Sequence, residues 1–116
     1  AERAPLRDLI AWIVDHPDAE LDVPSLAARA HMSVRHFGRS FRAETGCSPA
    51  VYVERVRVET ARRLLETTAR SIEEVARGAG FGTPEALRRA FARRLSLSPR
   101  EYRARFGTQS GDKEAV

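Results

Sequence analysis

Arginine is the most abundant charged residue of this chain, and many of its arginines gather in two short stretches. The first stretch is SVRHFGRSFRAETGCSP, residues 33–49, which contains Arg35, Arg39 and Arg42 together with His36. The second stretch is TPEALRRAFARRLSLSP, residues 83–99, which contains Arg88, Arg89, Arg93 and Arg94. A guanidinium group donates paired hydrogen bonds to phosphate oxygens and to guanine. Both stretches therefore suit the binding of a polyanion.

The sequence holds no arrangement typical of catalysis or of metal binding. The candidate metal ligands are His16, His31, His36 and Cys47, and no two of them have a spacing that recurs in metal sites. We interpret Glu73 and Glu74 as charges at a helix N-terminus rather than as a catalytic dyad. A glycine-rich phosphate loop and a nucleophile motif are also missing from the sequence. We therefore predict no enzymatic activity, no metal and no cofactor.

Composition narrows the class of protein further. The 116 residues, 42% of them hydrophobic, are enough for one domain or for two small subdomains. No run approaches the roughly 20 apolar residues of a membrane-spanning helix, and we expect no membrane segment. Cys47 has no partner for an internal disulfide, which fits a cytoplasmic protein. Because the chain begins at Ala1 rather than Met, we expect a piece of a longer protein.

The net charge of +4 hides an uneven distribution. Residues 1–24 have a net charge of −4 and residues 108–116 of −1, whereas residues 25–107 carry 17 arginines against 8 acids, a net +9. A basic body of this kind predicts an anionic partner. A genome that prefers arginine codons would produce the same composition, so charge alone does not decide between the two explanations.

Every periodic segment has the helical period, and none alternates as a half-buried strand does. We predict an all-α fold of about seven helices, at residues 5–16, 23–30, 34–44, 49–66, 72–78, 84–95 and 99–105. Residues with a side-chain oxygen precede six of them as N-caps: Asp22, Ser33, Ser48, Ser71, Thr83 and Ser98.

The two arginine-rich stretches belong to a repeat. Three pairs of residues are each 50 positions apart: Phe41 and Phe91, Pro49 and Pro99, and Tyr52 and Tyr102. Each copy consists of a short helix, a tight turn and a longer helix, which is the helix-turn-helix arrangement. The small residues Ala27 and Ala76 lie where we predict the two helices of each copy to cross. We predict two helix-turn-helix subdomains, residues 1–47 and 69–106, joined by a long connecting helix within 48–68. We expect residues 107–116 to be disordered.

A helical wheel separates each longer helix into two faces. In the first, Val34, Phe37 and Phe41 form a stripe that we predict to be buried, with the arginines on the opposite side. In the second, the predicted buried stripe is Leu87, Phe91 and Leu95. The residues predicted to face outward are Glu85, Arg89, Ala92 and Arg93, with Arg88 at their side.

A basic face on a single helix is usually only a solvated surface. Two such helices, each the second helix of the same motif, instead favour a binding function. The second helix of a helix-turn-helix enters the major groove of DNA, which predicts sequence-specific binding to double-stranded DNA. Phosphate contacts are expected from hydroxyl caps, helix N-termini and flanking cations: Ser33, His36, Arg42, Ser48, Thr83, Arg93 and Ser98. The connecting helix is expected to be about 27 Å long, and adjacent major-groove segments on one face of DNA lie roughly 34–36 Å apart. One monomer could therefore place both helices in adjacent segments, and the DNA would bend if the helices were closer together than the segments.

These motifs resemble those of a known family. The segment SIEEVARGAGFGTPEALRRAFARRLSLSPREYR is similar to the signature of AraC/XylS-type transcription regulators, and the resemblance extends over about residues 6–106. It implies a seven-helix DNA-binding domain of a bacterial regulator, C-terminal to a sensor domain, with RNA polymerase as a further candidate partner. The segment RHFGRSFRAETGCSP is also similar to the corresponding segment of regulators with a glutamine-amidotransferase-like sensor. The base contacts implied by position are Arg35, Gly38, Arg39, Glu85, Arg88 and Arg89.

The sequence departs from the family pattern at three positions. Gly38 has no side chain with which to contact a base, Leu87 replaces a common aromatic residue, and Ser96 replaces the glycine that usually ends the helix. Gly38 lies in mid-helix, where glycine is unfavourable. It either lets DNA approach the helix closely or lets a neighbouring helix pack tightly, and both explanations remain open.

One alternative belongs to a different class of function. A helical interaction module could use the same arginine faces to bind acidic proteins or RNA. Preference for a particular duplex sequence over random duplex, and over folded RNA, would distinguish the regulator from this module.

Overall fold

The computed structural model describes residues 4–108, and within that range it is all helix and turn, without a strand. The seven helices are α1 (Ala4–Asp15), α2 (Val23–Arg29), α3 (Val34–Thr45), α4 (Pro49–Thr67), α5 (Ile72–Gly78), α6 (Pro84–Leu95) and α7 (Pro99–Phe106). Each boundary lies within one residue of the predicted one, so the predicted fold class is confirmed.

The helix starts have a local chemical cause. The side chains of the N-caps of α2, α3, α5, α6 and α7 each accept a hydrogen bond from the amide three residues further on: Asp22, Ser33, Ser71, Thr83 and Ser98. Ser48 does the same before α4, where its hydroxyl accepts from the Val51 amide at 3.2 Å. These short-range bonds satisfy amides that a helix leaves unpaired, so the boundaries could be predicted from sequence.

The helix ends of α3 and α6 use the same backbone conformation with different residues. Gly46 ends α3 at φ 84°, a left-handed conformation that glycine adopts without strain. Ser96 ends α6 in the left-handed region too, at φ 57°, and its amide donates to the Ala92 carbonyl at 3.2 Å. Ser96 therefore adopts the left-handed conformation that glycine usually provides at this position, and this conformation strains the backbone of a residue with a side chain.

The first compact unit comprises Ala1–Val56. Its core contains ten buried residues from α1 to α4 and the loop before α2: Leu6, Leu9, Ile13, Leu21, Leu26, Ala27, Ala30, Phe37, Phe41 and Val53. Fully buried Ala27 lets α2 pack closely on α3, as the repeat predicted. Trp12 packs at the edge of this core. Its ring stacks on the His16 ring, with centroids 4.6 Å apart, and the Arg29 Cζ atom lies 3.8 Å from the centroid of the Trp12 ring.

The second compact unit comprises Arg57–Val116. Its buried core residues come from α4 to α7: Val58, Ala61, Leu65, Val75, Ala76, Ala79, Leu87, Ala90, Phe91 and Tyr102. Ala76 is fully buried where α5 packs on α6, the equivalent of Ala27. The division between the units falls inside α4, so this helix contributes residues to both cores.

Val34 does not belong to the buried stripe in which the wheel placed it. Phe37 and Phe41 are fully buried, whereas Val34 is 52% exposed. Val34 is the first residue of α3, and side chains of a helix lean toward its N-terminus. Its side chain therefore points past the region that the two phenylalanines cover, a direction that the wheel does not represent.

Arg103 hydrogen-bonds to the C-terminal end of α4 and to the turn after it, and the sequence did not indicate these contacts. Its guanidinium donates to three carbonyl oxygens that α4 and the following turn leave available, those of Leu65 at 3.2 Å, Thr68 at 3.1 Å and Arg70 at 2.5 Å. Burial lowers the pKa of Arg103 below the usual value of an arginine side chain. A cation at a helix C-terminus also interacts favourably with the helix dipole.

Tyr102 lies beside Arg103 and links α7 to α4. Its hydroxyl donates to the Glu66 carboxylate and accepts from Nε of Arg62 at 2.9 Å. Burial, together with the hydrogen bond to Glu66, raises the pKa of Tyr102. The donor and acceptor roles are thus divided between Glu66 and Arg62.

The predicted disorder of residues 107–116 lies mostly outside the described residues, which end at Thr108. Within them, the Gly107 amide donates to the Arg103 carbonyl at 2.7 Å, and the Thr108 hydroxyl donates to the Glu66 carbonyl at 2.6 Å. Gly107 and Thr108 are therefore hydrogen-bonded to α7 and α4.

The capping box of α5 makes the stability of the second unit depend on pH. The Ser71 amide donates to the Glu74 carboxylate at 2.9 Å, and this bond is the main cause of a pKa for Glu74 below its usual 4.5. A carboxylate with a lowered folded pKa stabilises the fold above its unfolded pKa, and this contribution disappears as the pH falls through the folded pKa.

We therefore expect Glu74→Gln to lower the free energy of unfolding at pH 7, with the difference from wild type shrinking as the pH falls through the lowered pKa of Glu74, because the wild-type carboxylate is then neutralised as well. Urea denaturation across this pH range measures the effect. Glu73→Gln is the control, since Glu73 is outside the capping box. A constant difference between Glu74→Gln and wild type at every pH would contradict this assignment.

Candidate nucleic-acid interface

The exposed face of α3 is held in place by its apolar side. Phe37 and Phe41 are fully buried and lie against each other, with ring centroids 5.5 Å apart. The rings of Phe41 and Tyr52 form a T-shaped pair with centroids 5.3 Å apart. The predicted contact residues of the opposite side are all exposed: Ser33, Arg35, His36, Arg39 and Arg42. The structure therefore places the predicted cations on one solvent-facing surface, as the wheel predicted.

Gly38 does not serve close packing between helices. A Cβ atom built at this position would have no heavy atom within 4 Å, apart from the neighbouring residues and backbone of its own helix. The tight-packing explanation for Gly38 is thus not supported. What remains is an open position on the helix surface, beside exposed Arg35 and Arg39.

Because this position is open, we expect Gly38→Ala to raise the free energy of unfolding by about 0.5–1 kcal/mol, the helix-propensity difference between the two residues. Urea denaturation measures this change. Gly46→Ala is a matched control, because its Cβ would also meet nothing within 4 Å but its φ of +84° is unfavourable for alanine. Gly46→Ala should therefore destabilise. A loss of stability in Gly38→Ala would show that the site is crowded after all.

The face of α6 is built in the same way from different residues. Leu87, Ala90 and Phe91 are fully buried, and the Phe91 ring meets Tyr102 edge-on with centroids 5.8 Å apart. The predicted contact residues on the other side are exposed: Thr83, Glu85, Arg88, Arg89 and Arg93. Leu87, at the position where the family resemblance implies an aromatic residue, is fully buried.

Glu85 has a partner of its own on the exposed face of α6. Its carboxylate lies 3.7 Å from the Arg88 guanidinium, one turn along the helix. Both side chains are more than half exposed, so this ion pair contributes little stability. The pair places two of the predicted base-contact side chains next to each other on the exposed face of α6.

The four helix N-termini predicted to contact phosphate differ in their charge. The first turns of α3 and α4 contain no acidic residue, so their positive dipole ends are not neutralised. The first turn of α6 contains Glu85, and that of α7 contains Glu101. These N-termini are electrostatically less favourable for phosphate.

Ser98 is the predicted phosphate contact that the structure least supports. Its amide, expected to be available, donates to the Glu101 carboxylate at 2.8 Å, and its hydroxyl accepts from the Glu101 amide at 3.0 Å. The physical reason is a capping box, which uses the amide that a phosphate would need. Ser48 is half-buried, whereas Ser33 and Thr83 are exposed.

Two further properties bear on the kind of site this is. Among residues 4–108, no three or more His, Cys, Asp or Glu side chains come together in a way that could hold a metal ion. Over the same described range, no helix combines the length and the apolar character required to cross a membrane.

Comparison with known proteins identifies the architecture. A family model described as a helix-turn-helix domain matches residues 26–105. Among curated proteins, the chain is 50% identical over 84 residues to the HTH-type transcriptional regulator Rv1931c of Mycobacterium tuberculosis, covering 72% of this chain and 32% of the relative. It is 35% identical over 100 residues to the HTH-type transcriptional activator RhaS of Klebsiella pneumoniae, covering 86% of this chain and 36% of the relative. The chain thus spans about a third of the length of these two relatives.

The solved structures similar to this chain include a complex with DNA. The DNA-binding domain of AdpA, a global transcriptional factor solved in complex with a target DNA, superposes with a TM-score of 0.85 at 47% identity, covering 88% of this chain and 92% of that one. The family model, which matches residues 26–105, extends from α2 to α7 and so reaches both helix-turn-helix motifs. This chain belongs to the helix-turn-helix family of AraC-type DNA-binding domains.

Proposed function

We propose that this chain binds double-stranded DNA sequence-specifically as the DNA-binding domain of a transcription regulator, with α3 and α6 as its two reading helices. The observation that carries the proposal is the duplicated design of these helices. Each is the second helix of a helix-turn-helix, is held by fully buried aromatic and apolar residues, and exposes arginines on its opposite face. The solved complex of AdpA with its target DNA supports the same use of this fold.

Direct reading of bases falls to the middle and N-terminal parts of the two helices. Arg35 and Arg39 of α3, and Arg88 and Arg89 of α6, have exposed guanidinium groups that would each donate two hydrogen bonds to a guanine. Glu85 would accept from a cytosine amino group, or else only orient Arg88 through their ion pair. Gly38 takes part by leaving room between α3 and the bases.

Phosphate contacts would fix the orientation of each helix on the duplex. The strongest candidates are Ser33 with the acid-free N-terminus of α3, Thr83, and the flanking cations His36, Arg42 and Arg93. Ser48 would act through the acid-free N-terminus of α4. For Ser98 to contribute its amide, a phosphate would have to displace the Glu101 carboxylate.

Selection from a random duplex library, followed by footprinting of the selected site, tests this function. We expect a site bound on the order of 10³-fold more tightly than random duplex at the same salt concentration. The footprint should contain two protected major-groove segments about one helical turn apart. Selection without enrichment, or equal affinity for selected and random duplex, would contradict sequence-specific binding.

The alternative of a helical interaction module has its own result in the same assay. Binding that prefers folded RNA over any duplex would favour an RNA-binding role. Binding to an acidic protein without affinity for the selected duplex would favour a protein-interaction role.

For the full-length protein we propose a larger regulator that acts in the cytoplasm without catalysis and contains an N-terminal sensor domain. RNA polymerase is the proposed protein partner. The similarity to longer transcriptional regulators supports this, since the chain spans about a third of their length. The sequence of the complete gene would test the sensor domain directly.

A further inference from the structure

The DNA-facing surface of α3 contains an apolar element beside its arginines. Val34 is 52% exposed, one of the largest exposures of an apolar side chain in the described part of the chain. It lies one helical turn before Gly38, whose surface is open. Arg35 and Arg39 form the neighbouring row, also one turn apart. The helix thus presents a cationic row and a parallel row made of one valine and one glycine.

Neither packing nor helix initiation explains Val34. Its side chain is not part of the buried core of the first unit. Residue 84 occupies the equivalent position of α6, where Pro84 provides the residue most suited to begin a helix. A β-branched valine has no such advantage at a helix start. Val34 is therefore an exposed apolar side chain that is available for a contact outside the chain.

The position of Val34 limits what that contact can be. In a helix-turn-helix, residues near the N-terminus of the second helix come closest to the base edges in the major groove. The only apolar group that a base pair presents in that groove is the C5-methyl of thymine. Open space over Gly38 leaves room for this methyl group beside the valine.

Resting on the DNA-binding function proposed above, we propose that Val34 packs against the C5-methyl group of a thymine and so specifies thymine at one position of the DNA segment read by α3. The contact distinguishes thymine from cytosine through the loss of apolar contact, while the adjacent arginines select guanine through hydrogen bonds. In α6, where Pro84 and Arg88 occupy the positions of Val34 and Gly38, this apolar row is missing.

Replacement of thymine by deoxyuridine tests the contact, because it removes only the methyl group. In the site selected by the wild-type chain, each thymine is replaced in turn, and affinity is measured for wild type, Val34→Ala and Val14→Ala. Val14 is a matched control, being 49% exposed on α1. For wild type and Val14→Ala we expect one replacement in the α3 segment to weaken binding about fourfold, the effect of burying one methyl group. For Val34→Ala the same replacement should weaken binding less than about twofold.

Four results would overturn the proposal. A selected site without a preferred thymine in the α3 segment, or deoxyuridine replacements that all leave wild-type affinity unchanged, would overturn the methyl contact while leaving sequence-specific binding intact. An equal deoxyuridine penalty in wild type and Val34→Ala would assign the methyl contact to another residue. Failure of the wild-type chain to prefer its selected site over random duplex would overturn the DNA-binding function and the thymine contact together.

Discussion

Arg39→Ala and Arg89→Ala should each weaken binding to the selected DNA by about 1–3 kcal/mol, roughly 5- to 150-fold, and each should relax specificity at a different position. The physical reason is the loss of a bidentate contact to one guanine. Both arginines are exposed on the faces opposite the buried phenylalanines Phe41 and Phe91. Because the two helices belong to separate motifs, the affected base pairs should lie about one turn of DNA apart.

Affinity for a set of single-base variants of the selected site measures both parts of this prediction. Arg63→Ala is the control, since Arg63 is an exposed arginine of α4 outside the reading helices. It should leave the pattern of base preference unchanged. Should Arg39→Ala or Arg89→Ala instead weaken binding to every sequence equally, that arginine would be a phosphate contact rather than a base contact.

Arg103→Ala should lower the free energy of unfolding of the second unit by about 2–3 kcal/mol, with a fall in Tm of about 10 °C. The substitution leaves the carbonyl oxygens of Leu65, Thr68 and Arg70 without their charged donor. It also removes a cation from the C-terminal end of α4. The loss should be smaller than three separate hydrogen bonds would suggest, because water can reach part of this site once the side chain is gone.

Chemical and thermal denaturation, followed by amide signals of the second unit, measure this effect. Arg105→Ala is a matched control on the same helix, because Arg105 is exposed and should change stability by less than about 0.5 kcal/mol. Arg103→Lys keeps the charge but not the planar set of donors, so it should recover only part of the stability. Equal stability of Arg103→Ala and Arg105→Ala would show that the three carbonyl contacts do not stabilise the fold.

Much of the fold was predictable because its causes are local. The N-caps Ser33, Ser71 and Thr83 bond to amides three residues away, and the apolar residues of each helix recur at the helical period. The repeat at 49–50 positions then revealed two copies of one motif, which no single segment would have established. The arginine faces followed from the same periodicity, because a helix that buries its phenylalanines exposes the residues on the other side.

Other features depended on residues that are distant in sequence. The role of Arg103 could not be predicted, since the three carbonyl groups that it contacts belong to residues 33 to 38 positions earlier. The use of the Ser98 amide by Glu101 could have been predicted, because serine followed three residues later by glutamate is the capping-box spacing already recognised at Ser71.

By itself, the sequence determined the helices, their pairing into two helix-turn-helix motifs and the side of each reading helix that carries the arginines. These depend on hydrogen bonds and periodicities within one helix or turn. Only the tertiary structure decided that Val34 is exposed rather than buried and that a Cβ atom at Gly38 would meet no neighbour within 4 Å. Both outcomes depend on which atoms of other parts of the chain lie near these positions, and the periodicity of α3 alone does not give them.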